Sequence, residues 1–372
     1  MDEVSVTHGA DVGSHQPAHV RAPRGVWLWV ALGAVVGGVV GGLIVNAFWS
    51  GPDVASAACT ASSVADQVVP SVVTIEVGRT SAGAPSTGSG EFYQDGGYIL
   101  TNNHVVANAA SGASMQVMLS DGQRVPATLV GRDPLTDLAV IKAPDAQSPQ
   151  VIALGSSADL QVGQPVVVVG APLGLSNTVT SGIVSALART VEVPGGGTSQ
   201  NALLADAVQT DAAINPGNSG GAMVNCNDQL IGIPSAGAVV PSSSGESSGG
   251  SIGLGFAIPV DLAKTISDEI IATGSVTHSY FGLVTVPIPR EAAAQAGVPE
   301  GLYVRTAVPG GPAAQAGLQE GDVITTINGQ PATSNTQLQE ITLTKKPGDT
   351  VDIGYDRNGK SATTKITLGT QP

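Results

Sequence analysis

Hydrophobic and polar positions along the chain fall into three regimes. From Gly25 to Pro52 no charged residue occurs, and at about 1.5 Å of helix rise per residue even the central part of this run spans the roughly 30 Å hydrocarbon core of a bilayer. A transmembrane helix is therefore expected over 25–51. From Val72 the period drops to two. Val72-Val73-Thr74-Ile75-Glu76-Val77 opens a series of short apolar runs, Gly97–Thr101, Met115–Leu119, Asp137–Lys142, Val166–Val169, Ala222–Val224 and Leu230–Ile233, punctuated by Gly, Asp and Pro. Short strands at such even spacing read as barrels or a sandwich. Past Val260 the period lengthens: Leu262, Ile266, Ile270 and Ile271 recur at helical spacing, and Gly274 is placed to end that helix. A second set of strand signals follows, with hairpin turns at Asn328-Gly329 and Asn358-Gly359 and one helical stretch between Ser334 and Leu343. The predicted organisation is a tail over 1–24, a transmembrane helix over 25–51, a stalk over 52–66, a first β domain over 67–274 and a second domain over 275–370.

Composition agrees with a mainly β body, since glycine is abundant, aromatics are scarce and Val and Ala carry the apolar fraction. Charge settles the orientation of the first helix. Arg21 and Arg24 precede the apolar run and Asp53 is the first charge after it, so the tail is expected in the cytoplasm and the rest outside, in the periplasm or cell wall. Gly33, Gly37 and Gly41 leave one face of that helix bare enough for close helix contact. Ala55-Ser56-Ala57 offers the competing account of a cleaved signal peptide and a secreted body. Both routes export the protein. The formal net charge of -14 leaves no basic stripe for a phosphate backbone, so nucleic acid is not an expected partner. Two cysteines, Cys59 and Cys226, are too few for a disulfide framework and lack zinc-ligand spacing. In an oxidising compartment they permit one optional bridge between the stalk and the first domain. The Ser- and Gly-rich stretch 241–251 cannot bury a core and reads as a mobile loop.

Candidate chemistry is densest at Asn215-Pro216-Gly217-Asn218-Ser219-Gly220-Gly221. A nucleophilic serine needs an exposed oxygen on a tight turn with free backbone N–H groups nearby, and flanking glycines permit both. Gly217 and Ser219 would supply those oxyanion donors. Of five histidines, His8, His15 and His19 fall in the tail and His278 follows the domain boundary, which leaves His104, at the end of a strand, as the base. Asp137, beside the apolar run Leu138–Ile141, fits the carboxylate that orients the imidazole. Asp133 is its rival in the same turn and reads better as a capping or turn residue. The order His, Asp, Ser, with separations of 33 (104 to 137) and 82 (137 to 219) residues, is that of the double-barrel serine proteases.

The segments TNNHVV (101–106), DPLTDLAVIK (133–142), TDAAINPGNSGG (210–221) and GLGFAIP (253–259) resemble the HtrA, or high-temperature-requirement, family of serine proteases over about residues 67 to 370. The resemblance implies a chymotrypsin-like pair of six-stranded β-barrels followed by a PDZ domain, no metal, ATP or other cofactor, and the degradation of misfolded or exported proteins in protein quality control. Tyr280-Phe281-Gly282-Leu283 is similar to the carboxylate-binding loop of PDZ domains, with Phe281, Gly282 and Leu283 expected to hold a C-terminal or apolar peptide as an added strand. Gly301–Val304, Gly310–Leu318 and Gly321–Ile324 continue that pattern. In the trypsin pattern the base of the specificity pocket lies six residues before the nucleophile, here Ala213, followed by Ile214. No carboxylate stands there to hold Lys or Arg, so cleavage is expected after small aliphatic residues such as Val or Ala, within unfolded chains. The family also implies regulation, in which the loop around Gly217 and Asn218 rests with its oxyanion hole disordered and tightens when substrate or PDZ ligand binds. HtrA proteases are commonly homotrimers; too few aromatics near the start of the protease domain leave that contact open. A binding protein with a latent protease fold and an esterase with the same three groups are the rival readings.

Overall fold

The computed structural model describes residues 59–80, 84–146, 149–171, 178–194, 201–237 and 251–371. The expected tail, the expected transmembrane helix and nearly all of the 241–251 loop lie outside these residues. Among the described residues no helix is long and apolar enough to cross a membrane. The stalk expected over 52–66 departs from an extended linker where it is described, because Ala61–Val68 (α1) is helical. Thr60 caps it by accepting from Ser63 N–H, and Val64 and Val68, four apart on one face, are buried. Just ahead of α1, Cys59 is bonded to Cys226 with Cα atoms 5.1 Å apart.

Seven strands form the first barrel: β1 (Val72–Val77), β2 (Ser86–Gln94), β3 (Tyr98–Asn102), β4 (Met115–Met118), β5 (Arg124–Pro126), β6 (Thr128–Asp133) and β7 (Leu138–Lys142), in the order β5-β4-β1-β2-β3-β7-β6. Only Ala127 separates β5 from β6, so the two act as one bent strand that pairs with β4 at one end and β7 at the other. The sheet thereby closes as six strands. Val73, Ile75, Phe92, Ile99, Val117 and Ile141 fill its interior. The alternate residues Val72, Leu100, Leu138 and Val140 face outward, yet they are equally buried, against Val167, Val169, Ala222 and Ile233 of the second barrel. Burial on both faces explains why these strands read as unbroken apolar runs. One acid among these strands stands apart. Glu91, paired with Val72 and Leu100, is fully buried, and neither carboxylate oxygen has a hydrogen-bond partner among the described residues.

The second barrel comprises β9 (Pro165–Gly170), β10 (Thr178–Val193), β11 (Ala202–Thr210), β12 (Ala222–Val224), β13 (Gln229–Gly237) and β14 (Gly255–Pro259), closed by the β12–β13 pairing, with β8 (Ala153–Leu154) appended parallel to β13. Helix α3 (Val260–Thr273) follows and buries Val260, Ala263, Ile266 and Ile270 against the barrels; Gly274 ends it at φ 81°.

Beyond it, a sheet ordered β16-β17-β18-β20-β21 is built from Leu283–Ile288, Gly301–Ala307, Val323–Ile327, Thr350–Arg357 and Lys360–Thr367, with β19 (Gln330–Pro331) paired to β18 off this path, while the short β15 (Ser279–Tyr280) pairs with β22 (Gly369–Thr370). Asn328, Gly329, Asn358 and Gly359 all take positive φ, as two-residue hairpin turns of this kind demand. Helices α4 (Arg290–Ala296), α5 (Pro312–Gln315) and α6 (Asn335–Thr344) complete the unit, the last started by a capping box of Ser334 and Gln337.

Candidate active site

His104 does not end a strand. It sits on a single helical turn, α2 (Asn103–Val106), that follows β3 directly. Asp137 occupies the last position of the β6–β7 turn in a left-handed conformation, φ 59°, which costs an Asp less than most side chains. The turn is held from several sides. Asp133 accepts from Leu135 N–H at 3.2 Å and from the Thr136 hydroxyl at 2.5 Å, while the Asp137 carbonyl accepts from Asn103 N–H at 3.0 Å and the Asn102 amide at 2.9 Å. Asp133 is thus a turn residue, and it also receives His278 Nε2 at 3.0 Å.

The Asp137 carboxylate is fully buried and grips His104 twice, accepting from its backbone N–H at 3.0 Å through Oδ1 and from ring Nδ1 at 2.8 Å through Oδ2. An acceptor at Nδ1 places the ring proton there and leaves Nε2 with its lone pair. Oδ2 takes a third bond, from the Ser235 hydroxyl at 2.6 Å. Ser235 also faces the nucleophile candidate: its carbonyl accepts from Ser219 Oγ at 3.2 Å. His104 and Asp137 are therefore in direct contact, and Ser219 joins them through Ser235, its hydroxyl turned to that carbonyl rather than to the imidazole. Ser235 was missed by sequence reasoning, because a serine on a strand carries no chemical signal until the strand's neighbours are known.

Gly217 lies at φ 103°, a region that favours glycine. Asn218 N–H closes a turn on Asn215 O at 3.0 Å, and among the described residues the N–H groups of Gly217 and Ser219 donate to no acceptor. Behind them the loop presses on both barrels. A Cβ at Gly220 would strike the Thr101 hydroxyl, and one at Gly221 would lie 2.5 Å from Val169 O. Ala213 turns its carbonyl to Thr180 Oγ1 at 3.0 Å and Asn218 Nδ2 at 3.2 Å, while Ile214 is buried over Gly255, where a Cβ would meet its Cδ1 at 2.6 Å.

In the C-terminal unit Phe281 is buried in the core and its carbonyl accepts from Ala313 N–H at 3.0 Å. Gly282 takes φ 72°, and Leu283 starts the edge strand β16. The N–H groups of Phe281 and Gly282 donate to no other described residue. Asn335 of α6 bridges to the same strand, with its amide donating to Thr285 O at 3.1 Å and its Oδ1 accepting from the Thr285 hydroxyl at 2.7 Å.

Two closed barrels with these groups at their junction, followed by a small sheet with a free edge, define a trypsin-like peptidase fold joined to a PDZ domain. Residues 88–233 match the trypsin-like peptidase domain family and residues 275–368 match the PDZ domain family. Serine protease PepD of Mycobacterium tuberculosis is 43% identical over 327 residues, which cover 82% of this chain and 65% of the relative. The periplasmic pH-dependent serine endoprotease DegQ of Escherichia coli is 39% identical over 277 residues, 74% of this chain and 57% of DegQ. The solved structure of the HtrA-type protease AlgW with a tripeptide superposes with a TM-score of 0.64 at 36% identity, covering 84% of this chain and 98% of that one. The chain belongs to the HtrA/DegP family of serine proteases.

Proposed function

We propose that the protein is a serine endopeptidase that works outside the cytoplasm on unfolded or misfolded polypeptides, with Ser219 as nucleophile, His104 as base and then acid, and Asp137 as the group that orients and charges the imidazole. One observation carries this reading: a buried carboxylate binds both the backbone and the ring of His104 and reaches Ser219 through Ser235. A rotation of the Ser219 hydroxyl from Ser235 O to His104 Nε2 starts the reaction. Oγ then attacks the scissile carbonyl as its proton passes to Nε2, and the oxyanion settles against the N–H groups of Gly217 and Ser219. The imidazolium, stabilised by Asp137, gives the proton to the leaving amine, and water repeats the cycle on the Ser219 ester.

Ala213, an apolar residue at the position six before Ser219, and Ile214, lying across Gly255, favour a small aliphatic residue ahead of the scissile bond. A peptide library should be cut mainly after Val or Ala; a maximum after Arg or Lys would refute that pocket. The PDZ domain takes C-terminal or apolar peptides along β16, with Phe281, Gly282 and Leu283 at the carboxylate, and regulates the protease. Residues 25–51 anchor the chain to the membrane, so alkaline carbonate should leave the full-length protein in the membrane pellet. Fluorophosphonate labelling and casein digestion test the whole reading. Wild type should be labelled and active, and Ser219→Ala should be neither; an unlabelled wild type would leave a peptide-binding protein with a latent protease fold.

A further inference from the structure

We propose that Ser89 is the positioning residue of the oxyanion hole, a role that rests on the reading of Ser219 as nucleophile. Ser89 belongs to β2 in the first barrel, on the opposite side of the junction from the loop it touches. It is fully buried, and each of its polar atoms is engaged. Its N–H donates to Ser219 O at 3.0 Å. The hydroxyl donates to Gly217 O at 2.6 Å and accepts from Ala171 N–H at 2.7 Å. Its carbonyl accepts from the Thr101 hydroxyl at 2.6 Å. Thus one residue holds the carbonyls of both Gly217 and Ser219, whose own N–H groups donate to no acceptor among the described residues.

The consequence is geometric. The plane of the Gly217–Asn218 peptide is set by its carbonyl, and it lies between the two donors along the chain. Gly217 has no side chain to resist rotation, so within the loop that peptide is held only at its N–H, by the bond of Asn218 N–H to Asn215 O. The anchor on Gly217 O must come from elsewhere, and Ser89 Oγ supplies it. The hydroxyl is itself aimed by Ala171 N–H, which occupies its acceptor side and directs its single proton to Gly217. Glycines of the loop let it approach β2 closely enough: a Cβ on Gly220 would meet Ser89 O at 2.5 Å, and one on Gly221 would meet Ser89 Cβ at 3.2 Å. With the hydroxyl removed, Gly217 O and Ala171 N–H lose their partner, and the two oxyanion donors cease to converge on one point. The residue touches no substrate and acts only through the loop.

The test uses the full-length chain. Wild type and Ser219→Ala are first compared by fluorophosphonate labelling, which settles the nucleophile independently of Ser89. Ser89→Ala is then assayed per labelled active site on a peptide with Val before the scissile bond. A peptide boronate reports binding of the tetrahedral oxyanion, and binding of the uncut peptide is measured with Ser219→Ala present alone and together with Ser89→Ala. Ser89→Ala should lower kcat by about 10- to 100-fold, since loss of a whole oxyanion donor costs about 100- to 1,000-fold. KM should stay within about twofold, boronate affinity should fall by the same factor as kcat, and uncut peptide should bind as before. A kcat within about threefold of wild type overturns the role, as does an equal loss of boronate and ground-state binding, which a merely structural residue would give. If Ser89→Ala does not fold, Ser89→Cys decides by the same comparison, because its thiol keeps the volume and donates only weakly. An unlabelled wild type overturns both the nucleophile and the role of Ser89.

Discussion

The two barrels hold their shares of the site in opposite ways. On the first-barrel side, His104 and Asp137 are fixed by their own neighbourhood: α2, the β6–β7 turn and the end of β3 bond to one another within a short length of chain. On the second-barrel side, the loop from Asn215 to Gly221 has one internal turn at Asn215–Asn218, with a second from Asn218 to Gly221. Further anchors come from distant segments, among them Ser89 across the junction, Pro234 and Ser235 on β13, and Ser251 N–H on Asn215 Oδ1. In the roles proposed for these groups, a base that must keep one tautomer gains from rigid local bonding. The loop that must receive a substrate carbonyl instead depends on contacts that can be made or lost without unfolding either barrel.

Breaking the rigid half should have the largest effect. Asp137→Asn keeps the shape but changes what the imidazole can donate to, and kcat should fall about 10,000-fold with the fold intact, checked by circular dichroism beside a peptide assay. Breaking the support of the second barrel acts on stability instead. Cys59→Ser with Cys226→Ser should cost about 2–5 kcal/mol in urea unfolding while leaving kcat at 25 °C near wild type, because the bridge includes none of His104, Asp137 and Ser219 and closes a separation of 167 residues.

The seam between the halves is sharpened by Glu91. Burial without a partner pushes its carboxyl well above the ordinary value of 4.5, so the folded protein keeps a proton that the unfolded chain loses. Its contribution is whole below about pH 4.5 and is lost as pH rises from there toward the raised value. Glu91→Leu should therefore stabilise the protein by about 1–3 kcal/mol at pH 7, with a larger gain in melting temperature at pH 8 than at pH 5. An equal gain at both pH values would refute the buried neutral acid. The smallest effect tests the link between the halves. Ser235→Ala removes one of three bonds to the Asp137 carboxylate, keeps the carbonyl that meets Ser219, and should reduce kcat about 10-fold, in line with a charge-assisted hydrogen bond of about 1.5 kcal/mol.

Much of this was legible in the chain. Short strands, the helix stopped by Gly274, the Asn-Gly hairpins and the Gly-rich turn at Ser219 are written in local residue types, because backbone conformation answers to neighbours in sequence. Other features were not. Val64 and Val68 make a helical stripe too short to stand out from a polar stalk, and α2 is a single turn inside what reads as a strand's end. Glu91 looks like an exposed alternate of β2 until the second barrel covers that face.

By itself, the sequence determined the mainly β fold class, the serine-protease family and the PDZ domain, and it marked His104, Asp137 and Ser219 as the residues proposed for acyl transfer, since a base, a carboxylate and a nucleophile carry their chemistry in their side chains. Only the tertiary structure decided that Ser235 bonds Asp137, that Ser89 grips the loop of the other barrel and that Asp133 turns to His278. Those roles belong to ordinary serines and an ordinary aspartate, and a hydrogen bond between residues as far apart as 89 and 217 exists only once two barrels have closed and met.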